Sequence, residues 1–212
     1  MKIIDMNIKE YMDTLKTNAP APGGGSVSGI TAAQGISLTL MVLELTLGKE
    51  KYKEYEEQNQ KIHSECLKIY ENLLNAADND KKAFIKLSKA YKLPKETKEE
   101  KEFKNKTIGK LSIDAIEAPF EVMKLSFEAL KLTDKIVGKS NKMASSDLGV
   151  AAECLKAASK SAWLNVKINI PYLNDEKLKK QYKNEGLLLL DKTEKLACEV
   201  YKKVEEALWL IK

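Results

Sequence analysis

Residues 18–48 read NAPAPGGGSVSGITAAQGISLTLMVLELTLG, and the fold class turns on them. Pro20 and Pro22 fix an extended approach, while Gly23, Gly24 and Gly25 permit backbone conformations closed to other residues. The stretch is a shaped loop feeding a helix. From Ser26 to Leu47 the residues are apolar or small almost all round, and Gly48 is a suitable C-cap. At 1.5 Å per residue that helix spans roughly 33 Å, enough to cross a membrane. Gln34, Glu44, several hydroxyls, two internal glycines and the lack of a second apolar stretch point elsewhere. They predict a helix buried on all sides inside a bundle, with no membrane partner.

Working outward, Ile8, Tyr11, Met12 and Leu15 follow the i, i+3, i+4, i+7 template, so a first helix is expected over 7–17 with Asn7 as N-cap. Residues 50–92 are charged but periodic. Tyr55, Ile62, Cys66, Ile69, Leu73, Leu74 and Ala77 form a stripe that Phe84, Leu87 and Tyr91 continue, in one long helix or two in line. Pro94 ends it, and Thr97 with Glu100 forms a capping box that starts the next. That helix runs to about Val137, with Pro119 as a kink or a break and Gly138 near its end. Two last helices are expected over 144–170 and 175–211, the second capped by Asn174. With no strand pattern and no linker, the expectation is an all-α single domain over 1–212, a bundle of about five to seven helices.

Composition narrows the function. The net charge of +5 comes from 36 basic against 31 acidic residues dispersed along the chain, without the aromatic interleaving of nucleic-acid readers. No nucleic-acid partner is expected. Cys66, Cys154 and Cys198 are odd in number and lack the paired spacing of metal sites or disulfide frameworks, so they read as reduced. The N-terminal MKIIDMNIKEYMD has no uninterrupted apolar core of a secretory signal, which makes a cytoplasmic location the expectation.

Few residues carry chemistry. The Gly23–Ser26 loop before a helix suits an anionic or strongly polar ligand, because free N-terminal amides converge where glycines allow close approach. It lacks the Lys-Ser/Thr ending of a phosphate-binding loop. The run Asn141 to Asp147 places Ser146 and Asp147 at a helix entrance, where ordinary capping explains them equally well. Asn165 and Asn169 are four apart, on one face beside apolar neighbours, and need partners if buried. Asp78 or Asp80 aims a carboxylate at an interior pocket or sits in solvent; the pattern does not separate these. His63, the sole histidine, lies on a charged helix and reads as a surface residue, leaving no metal ligand set.

Taken in order, Pro20-Ala-Pro-Gly-Gly-Gly-Ser-Val-Ser28, Asp80 with Ala83-Phe84, Tyr91 to Lys95, Ala115-Ile-Glu-Ala-Pro119, Asn141 to Ala152 and Leu164 to Asn169 resemble the cyclodeaminase/cyclohydrolase family of folate enzymes. The resemblance covers nearly the whole chain. One departure is Asn141-Lys-Met-Ala, where relatives often have Asn-Pro or another short polar run.

The resemblance implies a homodimer with its folate site near the subunit interface, a substrate that is commonly polyglutamylated, and no metal or organic cofactor. It implies methenyltetrahydrofolate cyclohydrolase activity, with formiminotetrahydrofolate cyclodeaminase as the alternative and a non-catalytic folate-binding helical dimer as a second. In the first reaction Asp147 or Asp80 stabilises the cationic carbon and deprotonates water; in the second Lys95, or a carboxylate, protonates the departing nitrogen. Pro22, Gly23, Gly24, Gly25, Ser26, Asn141, Ser146, Asn165 and Asn169 would hold the substrate.

Overall fold

A computed structural model, which describes residues 2–209, shows that three of the α-helices begin where side chains replace missing backbone partners. Asn7 and Glu10 form a reciprocal capping box at the head of α1 (Ile8–Leu15). Thr97 and Glu100 do the same for α4 (Lys98–Ile136). The last helix, α6 (Glu176–Leu208), is capped by Asp175, whose carboxylate accepts from the amides of Lys177 at 2.7 Å and Leu178 at 3.2 Å. Asn174, to which the sequence assigns this cap, packs instead against Gly109, where a Cβ would lie 2.2 Å from its Nδ2. Residues 210 and 211, included in the expected last helix, lie outside the described residues.

The remaining long helices are α2 (Gly24–Glu44), α3 (Glu56–Ala90, led in by a 3-10 segment at Glu50–Tyr55) and α5 (Ser145–Asn169). Six α-helices and no strand are found among the described residues, the all-α class expected. Pro119 neither breaks nor ends α4, which is continuous through it.

Small residues let α2 sit at the centre. A Cβ on Gly29 would come within 2.9 Å of the Ala77 Cβ in α3, and one on Gly35 within 2.8 Å of Leu155 in α5. Ile36, Leu43, Leu73, Ile116, Met123, Leu130, Leu148 and Leu155 are fully buried around this axis. Ala83, Leu87, Ala90, Ile108 and Ala115 form a second, smaller cluster between the later part of α3 and the early part of α4.

By length and composition α2 would cross a membrane, but 56% of its apolar window is packed inside the bundle. Burial on all sides does not hold. Gln34, Met41 and Leu45 are exposed and Ile30 and Leu38 are half-buried, because no helix of this chain covers the side of α2 between α3 and α5.

The polarity of the helices positions everything that follows. Gly24 at the start of α2 meets Asn165 near the end of α5, whereas Leu45, just beyond α2, accepts from Asn141 just before α5. The two helices are antiparallel, so the molecule has two poles about 30 Å apart by the rise of a 21-residue helix.

Candidate functional site

At the first pole, Asp80, Phe84, Leu87 and Tyr91 recur on α3 at spacings of four, three and four, one helical face. Asp78 lies two positions from Asp80, on the opposite side, and its Oδ1 accepts from the Ile3 amide at 2.7 Å, fastening the N-terminal segment to α3. The sequence pattern leaves Asp80 facing a pocket or solvent; in the structure it lines a cavity.

Asp80 meets the start of α2, where N-cap Gly23 offers no side chain to the free amides. The Ser26 hydroxyl donates to Asp80 Oδ2 at 3.1 Å and also approaches the Ala77 carbonyl at 3.3 Å. A carboxylate from another helix thus serves the end that lacks its own cap. Burial nonetheless dominates and raises the Asp80 pKa, opposed by the Ser26 hydroxyl and then by the Ser26 backbone N–H. Gly25 is required by this contact, since a Cβ there would stand 1.9 Å from Asp80 Oδ1. Tyr11 places a buried hydroxyl with no hydrogen-bond partner in the same region; its pKa is raised by burial first and by the Asp80 charge second.

Opposite Asp80, α5 presents Asn165, Ile168 and Asn169. The Asn165 side-chain amide donates to the Ser161 carbonyl at 2.9 Å, and that of Asn169 to the Asn165 carbonyl at 2.8 Å and the Ala115 carbonyl at 3.5 Å. Tyr91 and Tyr172 meet edge to face with centroids 6.0 Å apart and close one end. Lys104 donates to the Tyr91 and Leu93 carbonyls at 2.7 and 2.8 Å, tying down the turn that carries this wall. Pro20, Ala21, Gly23, Gly24 and Gly25 form the rim, and Pro22 is buried behind them.

The enclosed space is about 380 Å³, within the usual range for a small-molecule site. Among the described residues, its only titratable lining groups are the Asp80 carboxyl and the phenols of Tyr91 and Tyr172. A flat, nitrogen-rich ring would find aromatic edges, amides and one carboxylate there, with the α2 N-terminus alongside.

Of the residues singled out from the sequence, Gly23, Gly24, Gly25, Asp80, Asn165 and Asn169 line this cavity, and Ser26 holds Asp80. Lys95 does not; it is exposed on the loop beyond Tyr91. Asn141, Ser146 and Asp147 sit at the other pole. There Asn141 accepts from the Met143 amide and donates to the Leu45 carbonyl, and Ser146 borders a different groove, between α5 and α6. Within one chain, therefore, the expected site is divided. Phe84, Tyr91 and Tyr172 were not among the expected site residues, although the first two stand in the apolar stripe headed by Asp80. Nothing in the sequence marks Tyr172.

His63 is more covered than a surface reading implies, with 19% of its side chain exposed and Nε2 2.6 Å from Glu44 Oε1. Among the described residues no group of three or more His, Cys, Asp or Glu is placed to hold a metal ion.

A family model described as formiminotransferase-cyclodeaminase matches residues 7–186. The chain is 34% identical over 186 residues to a methenyltetrahydrofolate cyclohydrolase of Methylorubrum extorquens, covering 85% of this chain and 88% of that protein. It is 25% identical to the formimidoyltransferase-cyclodeaminase of Rattus norvegicus, covering 96% of this chain but only 38% of the rat protein. The crystal structure of formiminotetrahydrofolate cyclodeaminase from Thermotoga maritima superposes with a TM-score of 0.80 at 25% identity, over 98% of each chain.

Proposed function

The chain belongs to the formiminotransferase-cyclodeaminase family, and from that premise we propose that it is a methenyltetrahydrofolate cyclohydrolase, converting 5,10-methenyltetrahydrofolate to 10-formyltetrahydrofolate. The observation that carries the reading is a cavity of folate-ring size with, among the described residues that line it, a single carboxylate, Asp80, and no lysine or histidine. The substrate carbon between N5 and N10 carries a delocalised positive charge. An ionised Asp80 stabilises it and accepts the proton that water loses as the new carbon–oxygen bond forms. Asp80 returns that proton to N5, the N5–carbon bond breaks, and the hydroxyl proton leaves to solvent as the formyl group remains on N10. Its raised pKa suits a group that must take and return a proton.

The second reading, formiminotetrahydrofolate cyclodeaminase, is favoured by the Thermotoga maritima structure. It asks for an acid to protonate departing ammonia, and Asp80 is then the group that supplies the proton, since Lys95 stands outside the cavity. The third, a folate-binding dimer without turnover, makes no use of a buried carboxylate. Loss of methenyl absorbance above the spontaneous rate identifies the cyclohydrolase. Methenyl appearance with ammonia release from 5-formiminotetrahydrofolate identifies the cyclodeaminase, and silence in both overturns each enzyme reading.

We also propose that the working form is a cytoplasmic homodimer acting without metal or organic cofactor, on substrates that include polyglutamylated folates. The support for the dimer is the side of α2 and α5 left open by the fold. On α5 and the turn that leads into it, Met143, Asp147, Val150, Cys154, Ala157, Ser161, Leu164 and Ile168 recur every three or four residues, and Met143, Val150, Leu164 and Ile168 are exposed. Beside them an open groove is lined by Ile30, Gln34, Leu38, Tyr70, Leu74 and Cys154. A two-fold axis near the middle of this stripe sets two α5 helices antiparallel. That arrangement carries Asp147 of one copy toward the partner's Leu164 and so toward its cavity, reuniting the poles that one chain keeps apart. Surface lysines would attract the acidic tail at long range, so raising salt should increase the Michaelis constant for polyglutamylated substrate.

A further inference from the structure

Proline is the least favourable residue in a helix interior, yet Pro119 is buried in the middle of α4. Lacking an N–H, it cannot bond the carbonyl one turn back, which belongs to Ala115. Ala115 lines the cavity. Its oxygen accepts from the side-chain amide of Asn169 at 3.5 Å, a nitrogen that also donates at 2.8 Å to the Asn165 carbonyl. A carbonyl has two acceptor positions, and here the ordinary intrahelical donor is absent and its replacement is long.

We infer that Pro119 is a positioning residue that frees the Ala115 carbonyl to accept a hydrogen bond from the exocyclic amino N–H of the bound ring. A helix carries a full set of backbone carbonyls that sequence cannot vary, and a proline four residues on is the way to expose one of them. The pterin ring of a folate presents such donors on the edge remote from the reacting carbon, so this contact orients the ring while Asp80 faces the carbon. The inference rests on the folate reading given above and adds what holds the ring.

The test compares wild type with Pro119→Ala, in which the restored N–H competes for the Ala115 oxygen. The probes are tetrahydrofolate and its 2-deamino-2-methyl analogue, with affinities measured by calorimetry. Wild type should bind the analogue roughly tenfold more weakly, the effect of one ordinary hydrogen bond. Pro119→Ala should bind tetrahydrofolate roughly tenfold more weakly than wild type and no longer distinguish the two ligands. It should melt at a higher temperature than wild type, and in turnover the Michaelis constant should rise while kcat changes little. A purely structural proline would give the opposite melting shift and leave the ligand discrimination intact. Pro119→Gly supplies the same N–H without a side chain if alanine disturbs this buried position. Unchanged tetrahydrofolate affinity in both variants, or no discrimination by wild type, overturns the inference and leaves the folate reading standing. Failure of tetrahydrofolate to bind wild type at all removes that reading and the inference with it.

Discussion

The two poles of the molecule begin from similar sequence, a run of small and polar residues leading into a helix, and end in opposite states. At the Asn141 pole the polar groups of Asn141 and the Lys142 amide are engaged within the chain. The Asn141 amide donates to Thr46 Oγ1 at 2.9 Å, its side chain serves Met143 and Leu45, and the Lys142 amide reaches the Tyr52 hydroxyl at 3.1 Å. At the Gly23 pole the helix end has no cap of its own, and what answers it is a carboxylate lining a cavity. Polar groups whose partners are withheld are left for a ligand, whereas Asn141, whose partners are supplied, caps the 3-10 turn that leads into α5.

The largest test of that contrast is a methyl group. Gly25→Ala places a Cβ 1.9 Å from one Asp80 oxygen and 2.5 Å from the other, so the carboxylate must leave its position. Misplacement of a reacting group by about 1 Å can cost a hundredfold in rate, and a fall in kcat/KM of at least that order is expected. Gly149→Ala, near the other pole, meets Val204 Cγ1 at 3.3 Å and should leave kcat/KM within about twofold. Equal losses in both variants would abolish the distinction between the poles.

Next comes Asp80→Asn, which should lower kcat by roughly a hundredfold or more by removing the proton acceptor. Its effect on stability has the opposite sign. Burial raises the Asp80 pKa above the ordinary 3.8, so the folded state binds this proton more tightly than the unfolded chain. Stability is therefore lost as pH rises from about that ordinary value through the raised one, and the loss persists at neutral pH. Asp80→Asn escapes it. The variant should melt above wild type at pH 7, with the gap closing as the solution is taken to pH 4 and below. A variant that melts lower at every pH would mean that Asp80 is there for the helix end alone.

The dimer offers a third test, because it is the means by which the poles would meet. Leu164 is 65% exposed and touches no core, so Leu164→Glu should leave the helical content and melting of the monomer unchanged. Sedimentation should show dissociation at concentrations where wild type is paired, and activity should fall in parallel. Asp147→Asn should then reduce turnover in the dimer without shifting its dissociation. An active, monomeric Leu164→Glu protein would place the whole site within one chain.

What was legible in the sequence follows the same division. Caps and core stripes depend on neighbours within a few residues, which is why Asn7, Thr97 and the helical register of α3 can be read directly. The glycine loop, Asp80, Asn165 and Asn169 can be named as polar residues in unusual company, but their convergence depends on α2 and α3 approaching at Gly25 and Gly29. Asn174 packs over Gly109 and Asp175 caps α6, a division that depends on a glycine remote in the sequence. Whether α2 is covered on its last side cannot be read from periodicity in one chain, and in the proposed dimer a second copy would cover it.

The smallest effect expected belongs to Asn141→Ala. This residue caps the short 3-10 turn Lys142–Ala144 through its side-chain oxygen and ties it to the end of α2 through its nitrogen. Loss of such a cap costs about 1 kcal/mol, which for a chain of this length lowers Tm by roughly 2–4 °C. The Michaelis constant should stay the same, because each polar end of the side chain is already engaged within its own chain. If thermal unfolding is unchanged and the Michaelis constant rises several-fold, Asn141 binds substrate after all, and the second pole belongs to the site even though its polar atoms are satisfied without it.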